Sequence, residues 1–118
     1  MKVITKKIKL NRLDYYIRHL NIINTMLPIQ LTQREIEVLG GFMSLTGDLK
    51  KDPFSSLGRK LVMEKVGIKN MGGLGNFLNQ LKQKGFIKEK DNTLTIIPLV
   101  IPNEDEQEYN FKIILEND

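Results

Sequence analysis

The sequence predicts an α+β fold: a four-helix body followed by a β-hairpin, with a short strand at each terminus. Three observations carry that expectation. Apolar residues recur at helical spacing over most of residues 11–84, and Gly47, Gly67 and Gly85 each follow a helical stretch. After Gly85, and again near both ends, the spacing shortens to alternation. At 118 residues the chain reads as one domain, 1–118, able to bury a single modest core.

In residues 2–10, Ile4, Ile8 and Leu10 share one parity, and Thr5, Lys7 and Lys9 share the other. This predicts an edge strand whose lysines oppose edge-to-edge pairing. Leu13, Tyr16, Ile17, Leu20, Ile23 and Leu27 then follow helical spacing, predicting a helix over 11–27 that Pro28 ends. Thr32 and Glu35 form a capping box, with Leu31 and Ile36 as its hydrophobic staple. The helix they open buries Ile36, Leu39, Phe42 and Met43 and stops at Gly47, and GDLKKDP reads as a polar loop.

Ser55 or Ser56 caps a third helix with Leu57, Leu61, Val62 and Val66 on its apolar face and Gly67 as its stop. A fourth helix runs from about Asn70 to Lys84 and ends at Gly85. Phe86-Ile87 starts a strand, Asp91-Asn92 suits a tight turn, and Leu94 to Ile97 returns. Pro98 and Pro102 bracket a connector. Tyr109, Phe111, Ile113 and Leu115 then alternate with Asn110, Lys112 and Ile114, predicting a terminal strand over 108–115.

Charge is unevenly placed within the net +4. Residues 1–90 carry 17 Lys+Arg against 7 Asp+Glu, whereas residues 91–118 carry 1 against 7. A basic body suits an anionic partner approached from one side. No apolar run approaches the roughly 20 residues of a membrane span, so no membrane role is expected. The N-terminal MKVITKKIKL lacks a secretory apolar core, and a cytoplasmic protein is expected. The absence of cysteine removes disulfides, thiol catalysis and thiolate zinc sites.

The fourth helix is the most informative element for function. At about 100° per residue, Leu74, Phe77, Leu78 and Leu81 occupy one side, while Gly72, Asn76, Asn79 and Gln83, with Gln80 beside them, occupy the other. Asn and Gln can each make two hydrogen bonds to adenine in a major groove. Arg59, Lys60 and Lys65 on the preceding helix, Lys69 at the joint, and Lys88 and Lys90 in the hairpin are the candidate phosphate contacts, and Asn70 at the joint is a further candidate DNA contact. Gly72, Gly73 and Gly75 each cost roughly 1 kcal/mol relative to alanine inside a helix, which points to close backbone approach by a partner. Glycine cannot read a base. The same face also suits a protein partner.

The segment Leu81-Lys82-Gln83-Lys84-Gly85-Phe86-Ile87 resembles the passage from recognition helix to wing in bacterial winged helix-turn-helix regulators. The resemblance covers residues 31–97 and implies a winged-helix core preceded by the 1–27 strand and helix. It also implies that the exposed helix residues and hairpin lysines contact duplex DNA. Gly72 and Gly73 depart from the pattern, since such regulators usually present Ser, Thr or Arg there. Leu31 to Leu39 is similar to the opening of LuxR-type DNA-binding domains, a likeness that extends no further than the capping box. The whole chain resembles small winged-helix proteins of tailed bacteriophages of the crAss-like group, which implies either a regulator in the host cytoplasm or a virion component.

Catalysis is not expected. His19 is the only histidine and reads as a surface residue, and Glu104, Asp105, Glu106 and Glu108 lack calcium-loop spacing. Gly73-x-Gly75 has neither the third glycine nor the preceding strand of a nucleotide loop. No metal or cofactor is therefore assigned. Tyr15, Tyr16, Ile22 and Ile23 widen the apolar surface of the 11–27 helix, making it a candidate homodimer contact. The expected function is non-enzymatic DNA binding in transcription control. The alternative is a protein-interaction module serving phage assembly or replication.

Overall fold

Side-chain caps set where each long helix begins. In the computed structural model, which describes residues 2–117, Asn11 Oδ1 accepts from Asp14 N and opens α1, Arg12–Asn24. Thr32 Oγ1 accepts from Glu35 N while Glu35 Oε1 accepts from Thr32 N, the two halves of the capping box that opens α2, Gln33–Met43. A single helical turn follows as α3, Asp48–Lys51. Ser55 caps α4, Ser56–Val66, through Gly58 N, and Asn70 caps α5, Met71–Gln83, through Gly73 N. A hairpin completes the body, with β1, Ile87–Lys90, antiparallel to β2, Thr93–Ile96. The fold class is α+β.

Two left-handed glycines end the paired helices. Gly67 has φ of 71°, and Ile68 N donates back to Met63 O. Gly85 has φ of 84°, and Phe86 N donates to Leu81 O, which turns the chain directly from α5 into β1. Asp91 and Asn92 both take positive φ, the backbone that a two-residue hairpin turn needs and that Asp and Asn tolerate.

The core forms around α2. A Cβ on Gly40 would lie 2.9 Å from Ile17 Cγ1, and one on Gly41 would lie 3.0 Å from Val62 Cγ1. Adjacent glycines thus let α1 and α4 approach α2 closely. Leu20 from α1, Ile36, Leu39 and Phe42 from α2, Val62 from α4 and Leu74, Leu78 and Leu81 from α5 fill the interior. Phe42 and Phe54 stack with ring centroids 4.5 Å apart. Beyond β2, a 3₁₀ turn at Pro98–Val100 buries Val100 and sends the chain across α1.

That crossing is held by polar contacts from α1. Arg12 donates to the carbonyls of Ser44 and Leu45 at the end of α2 and pairs with Glu104 at 3.3 Å. Glu104 also meets Lys50 Nζ at 2.6 Å, and these two cations hold its carboxyl below the usual range. Tyr15 donates to Asn103 O, and His19 lies between Val100 O at 2.9 Å and Tyr109 Oη at 2.6 Å. A carbonyl only accepts, so His19 Nε2 carries the proton and Nδ1 accepts from Tyr109. Burial pushes the His19 pKa down, with the Val100 hydrogen bond partly opposing, and pushes the Tyr109 hydroxyl up to about 12.

Several expectations are corrected. The predicted strands over 2–10 and 108–115 do not form: among the described residues, no backbone hydrogen bond engages 2–10 or 110–117. Alternation alone does not make a strand without an edge to pair with. GDLKKDP contains the α3 turn, because Gly47 with φ of 62° redirects the chain and Lys50 N finds Gly47 O. The first helix ends at Asn24 rather than at Leu27, since the Asn24 amide holds both N and O of Leu31. Leu57 is exposed instead of buried. Gly58 takes the inward position, where any Cβ would clash with Pro53 O at 2.0 Å. His19 is buried, not a surface residue.

The His19 contact makes stability pH-dependent. With a folded pKa below the ordinary 6.5, the imidazole adds stability that is complete above pH 6.5 and lost as pH falls through the folded value. Urea melts followed by circular dichroism should show a lower midpoint at pH 5.5 than at 7.5. The difference should shrink in His19→Gln, which does not titrate.

Candidate nucleic-acid interface

The orientation of α5 is set at both of its ends. At its start, Asn70 Oδ1 takes Gly73 N at 2.7 Å. Near its end, Lys84 Nζ reaches Glu35 Oε1 at 2.6 Å and Gln30 O at 3.0 Å. Glu35 is only 1% exposed, so the cost of burying its charge is met by Lys84 and by the Thr32 amide. Burial pushes the Glu35 carboxyl up, but those hydrogen bonds outweigh it and hold the pKa below 4.5. The capping box of α2 and the last turn of α5 are therefore one electrostatic unit. Leu74, Leu78 and Leu81 turn the apolar side inward and leave Asn76, Asn79, Gln80 and Gln83 exposed.

The hairpin sorts its residues by face. Lys88 pairs with Thr95 and Lys90 with Thr93, so both lysines and both threonines share one face. Glu89, Leu94, Ile87 and Ile96 share the other, where Glu89 lies 3.9 Å from Lys82. Lys88 and Lys90 are exposed, as are Lys60 on α4 and Lys69 at the joint. Among the described residues these four lysines have no ion-pair partner. The arrangement offers amide donors and acceptors on one helix together with free ammonium groups before and after it.

Some of the residues named from sequence have other duties. Asn70 serves as the α5 cap, so its Oδ1 is committed to the backbone. Arg59 Nε donates to Phe54 O at 2.8 Å and ties α4 to the preceding loop. Lys65 reaches Ser44 Oγ at 3.5 Å, toward the end of α2. Gly73 N–H, one of the amides that would greet an anion at the start of α5, is already taken by Asn70.

Sequence reasoning missed the tertiary roles of three polar residues, one of which places this surface. Glu35 was legible as a cap but not as the buried partner of Lys84, 49 positions away. Arg12 carried no local signal, since its partners lie at Ser44, Leu45 and Glu104. His19 did carry one: it falls beside Tyr16 and Leu20 on the apolar stripe of α1.

Compared with protein-family models, curated proteins and solved structures, the chain matches none.

Replacing Lys84 with Met should leave Glu35 buried with its charge only partly satisfied, lowering stability by about 1–3 kcal/mol at pH 7. The depressed Glu35 pKa gives stability that is present above pH 4.5 and lost as pH falls through the folded value. The gap between wild type and Lys84→Met should therefore narrow in urea melts near pH 3.

Proposed function

We propose that the chain binds duplex DNA without catalysis, in a winged-helix manner, and acts in transcription control. The order α2, α4, α5 and hairpin agrees with that arrangement, with α5 as the helix presented to the groove. The observation that carries the reading is the exposed amide row Asn76, Asn79, Gln80 and Gln83, flanked by the unpaired lysines Lys60, Lys69, Lys88 and Lys90. In this reading the lysines neutralise phosphates and fix the register, while the amides meet base edges. Asn70 acts indirectly, by fixing the start of α5.

One observation suits a second reading equally well. A Cβ on Gly72 or Gly73 would meet nothing closer than 3.4 Å, and one on Gly75 would meet nothing within 4 Å. The packing of a single chain therefore does not require these glycines. Close approach of a protein backbone would use the same open surface, making the chain an assembly or replication accessory that is indifferent to DNA.

Mobility shifts with selected and random duplexes separate the two readings. Under DNA binding, Asn76→Ala and Asn79→Ala reduce the preference for selected sites, each lost base contact being worth about 1–3 kcal/mol. Lys88→Ala should weaken selected and random duplexes alike. A wild-type chain that shifts no duplex at low salt, yet retains a stoichiometric protein partner after nuclease treatment, supports the protein-docking reading instead.

A further inference from the structure

The two terminal segments present an unusual combination of features. Ile4 is 84% exposed, Ile113 95% and Leu115 84%, and Val3, Ile8, Phe111 and Ile114 are also open to solvent. Residues 2–10 and 110–117 make no backbone hydrogen bonds among the described residues, so both keep their donors and acceptors free. Both alternate in the manner of half-buried strands, with Ile4, Ile8 and Leu10 on one parity and Phe111, Ile113 and Leu115 on one parity. Isolated exposed leucines are ordinary, whereas two alternating apolar rows with unpaired backbone are each able to pair as a strand.

Their charges and positions indicate what that partner is. Residues 2–10 carry Lys2, Lys6, Lys7 and Lys9 and no acid, whereas residues 105–117 carry Asp105, Glu106, Glu108 and Glu116 against Lys112 alone. The segments also converge on one place. Lys6, Ile8 and Leu10 from the N-terminal segment, Tyr15, Arg18 and Ile22 from α1, and Gln107 and Tyr109 from the C-terminal segment line a groove of about 180 Å³. The groove has an apolar floor and a basic rim at Lys6 and Arg18. Tyr109 is pinned to His19 at 2.6 Å, and beyond it the chain continues past the groove with Phe111 to Leu115 uncovered.

We infer that the occupant of this groove is the C-terminal segment of a second copy of the chain. Residues 110–116 of each copy pair as a strand with residues 3–9 of the other, laying Phe111, Ile113 and Leu115 over the outer face of α1 and leaving Glu116 on the opposite face, which it shares with Lys7 and Lys9. The exchange is reciprocal, so one contact made twice closes a two-fold dimer. Backbone pairing supplies affinity, the like charges of Lys2, Lys6, Lys7 and Lys9 disfavour pairing two N-terminal segments, and Asp105, Glu106 and Glu108 bring acidic charge next to the C-terminal strand. The outer face of α1 takes part, but the strands make the contact.

Absence of cysteine allows a direct test in the full chain. Thr5→Cys and Lys112→Cys both lie off the main apolar rows. Each variant is made separately, and the two are mixed and treated with a short bis-maleimide. A cross-linked species of twice the 13.6 kDa protomer mass, joining one Thr5→Cys chain to one Lys112→Cys chain, is the expected result. Light scattering of the unmodified chain should likewise give the doubled mass, and Ile113→Glu with Leu115→Glu should return it to that of a monomer with unchanged helical circular dichroism. Two outcomes overturn the inference: a monomeric wild type at hundreds of micromolar, or a Thr5→Cys/Lys112→Cys double variant that cross-links only within one chain while the mixture yields no joined species.

Discussion

One buried carboxylate organises the surface that α5 presents. Glu35 is held by the Thr32 amide at the start of α2 and by Lys84 just past the end of α5, and it is almost fully withdrawn from water. A charge in that position is tolerable only while both partners remain. The position of α5 is therefore coupled to the cap of α2, not merely to the apolar packing of Leu74, Leu78 and Leu81.

Around that pair the fold uses small residues to bring helices together. Gly40 and Gly41 let α1 and α4 close on adjacent faces of α2, and Gly58 lets α4 meet the Pro53 carbonyl. These glycines differ in kind from Gly72, Gly73 and Gly75, which have room for a methyl group in the isolated chain. The first set serves the core. The second set keeps the start of α5 low and open.

Local grammar made the body legible in the sequence. The Thr32–Glu35 box, the serine cap at Ser55, the left-handed stops at Gly67 and Gly85 and the Asp91-Asn92 turn each depend on a few neighbouring residues, and each is found where its residues place it. The exposed amide row of α5 was legible for the same reason. What sequence could not reveal depends on distant partners. Arg12 on the end of α2, Lys84 on Glu35 and Tyr109 on His19 are separated by 32 to 90 positions, and no local pattern encodes them. The terminal segments show the converse: a clear strand alternation remains unpaired because alternation specifies a face and not a neighbour.

Whether α5 and its flanking lysines meet DNA is tested most directly by titrating random-sequence duplex against the chain over a range of salt concentrations. If Lys60, Lys69, Lys88 and Lys90 neutralise phosphates, log affinity should fall against log salt with a slope of roughly −3 to −4 per protomer, at about 0.9 for each phosphate contacted. Replacing Lys69, Lys88 and Lys90 together by alanine should remove most of that slope. Affinity that is absent at low salt, or that ignores both salt and these lysines, would contradict the account.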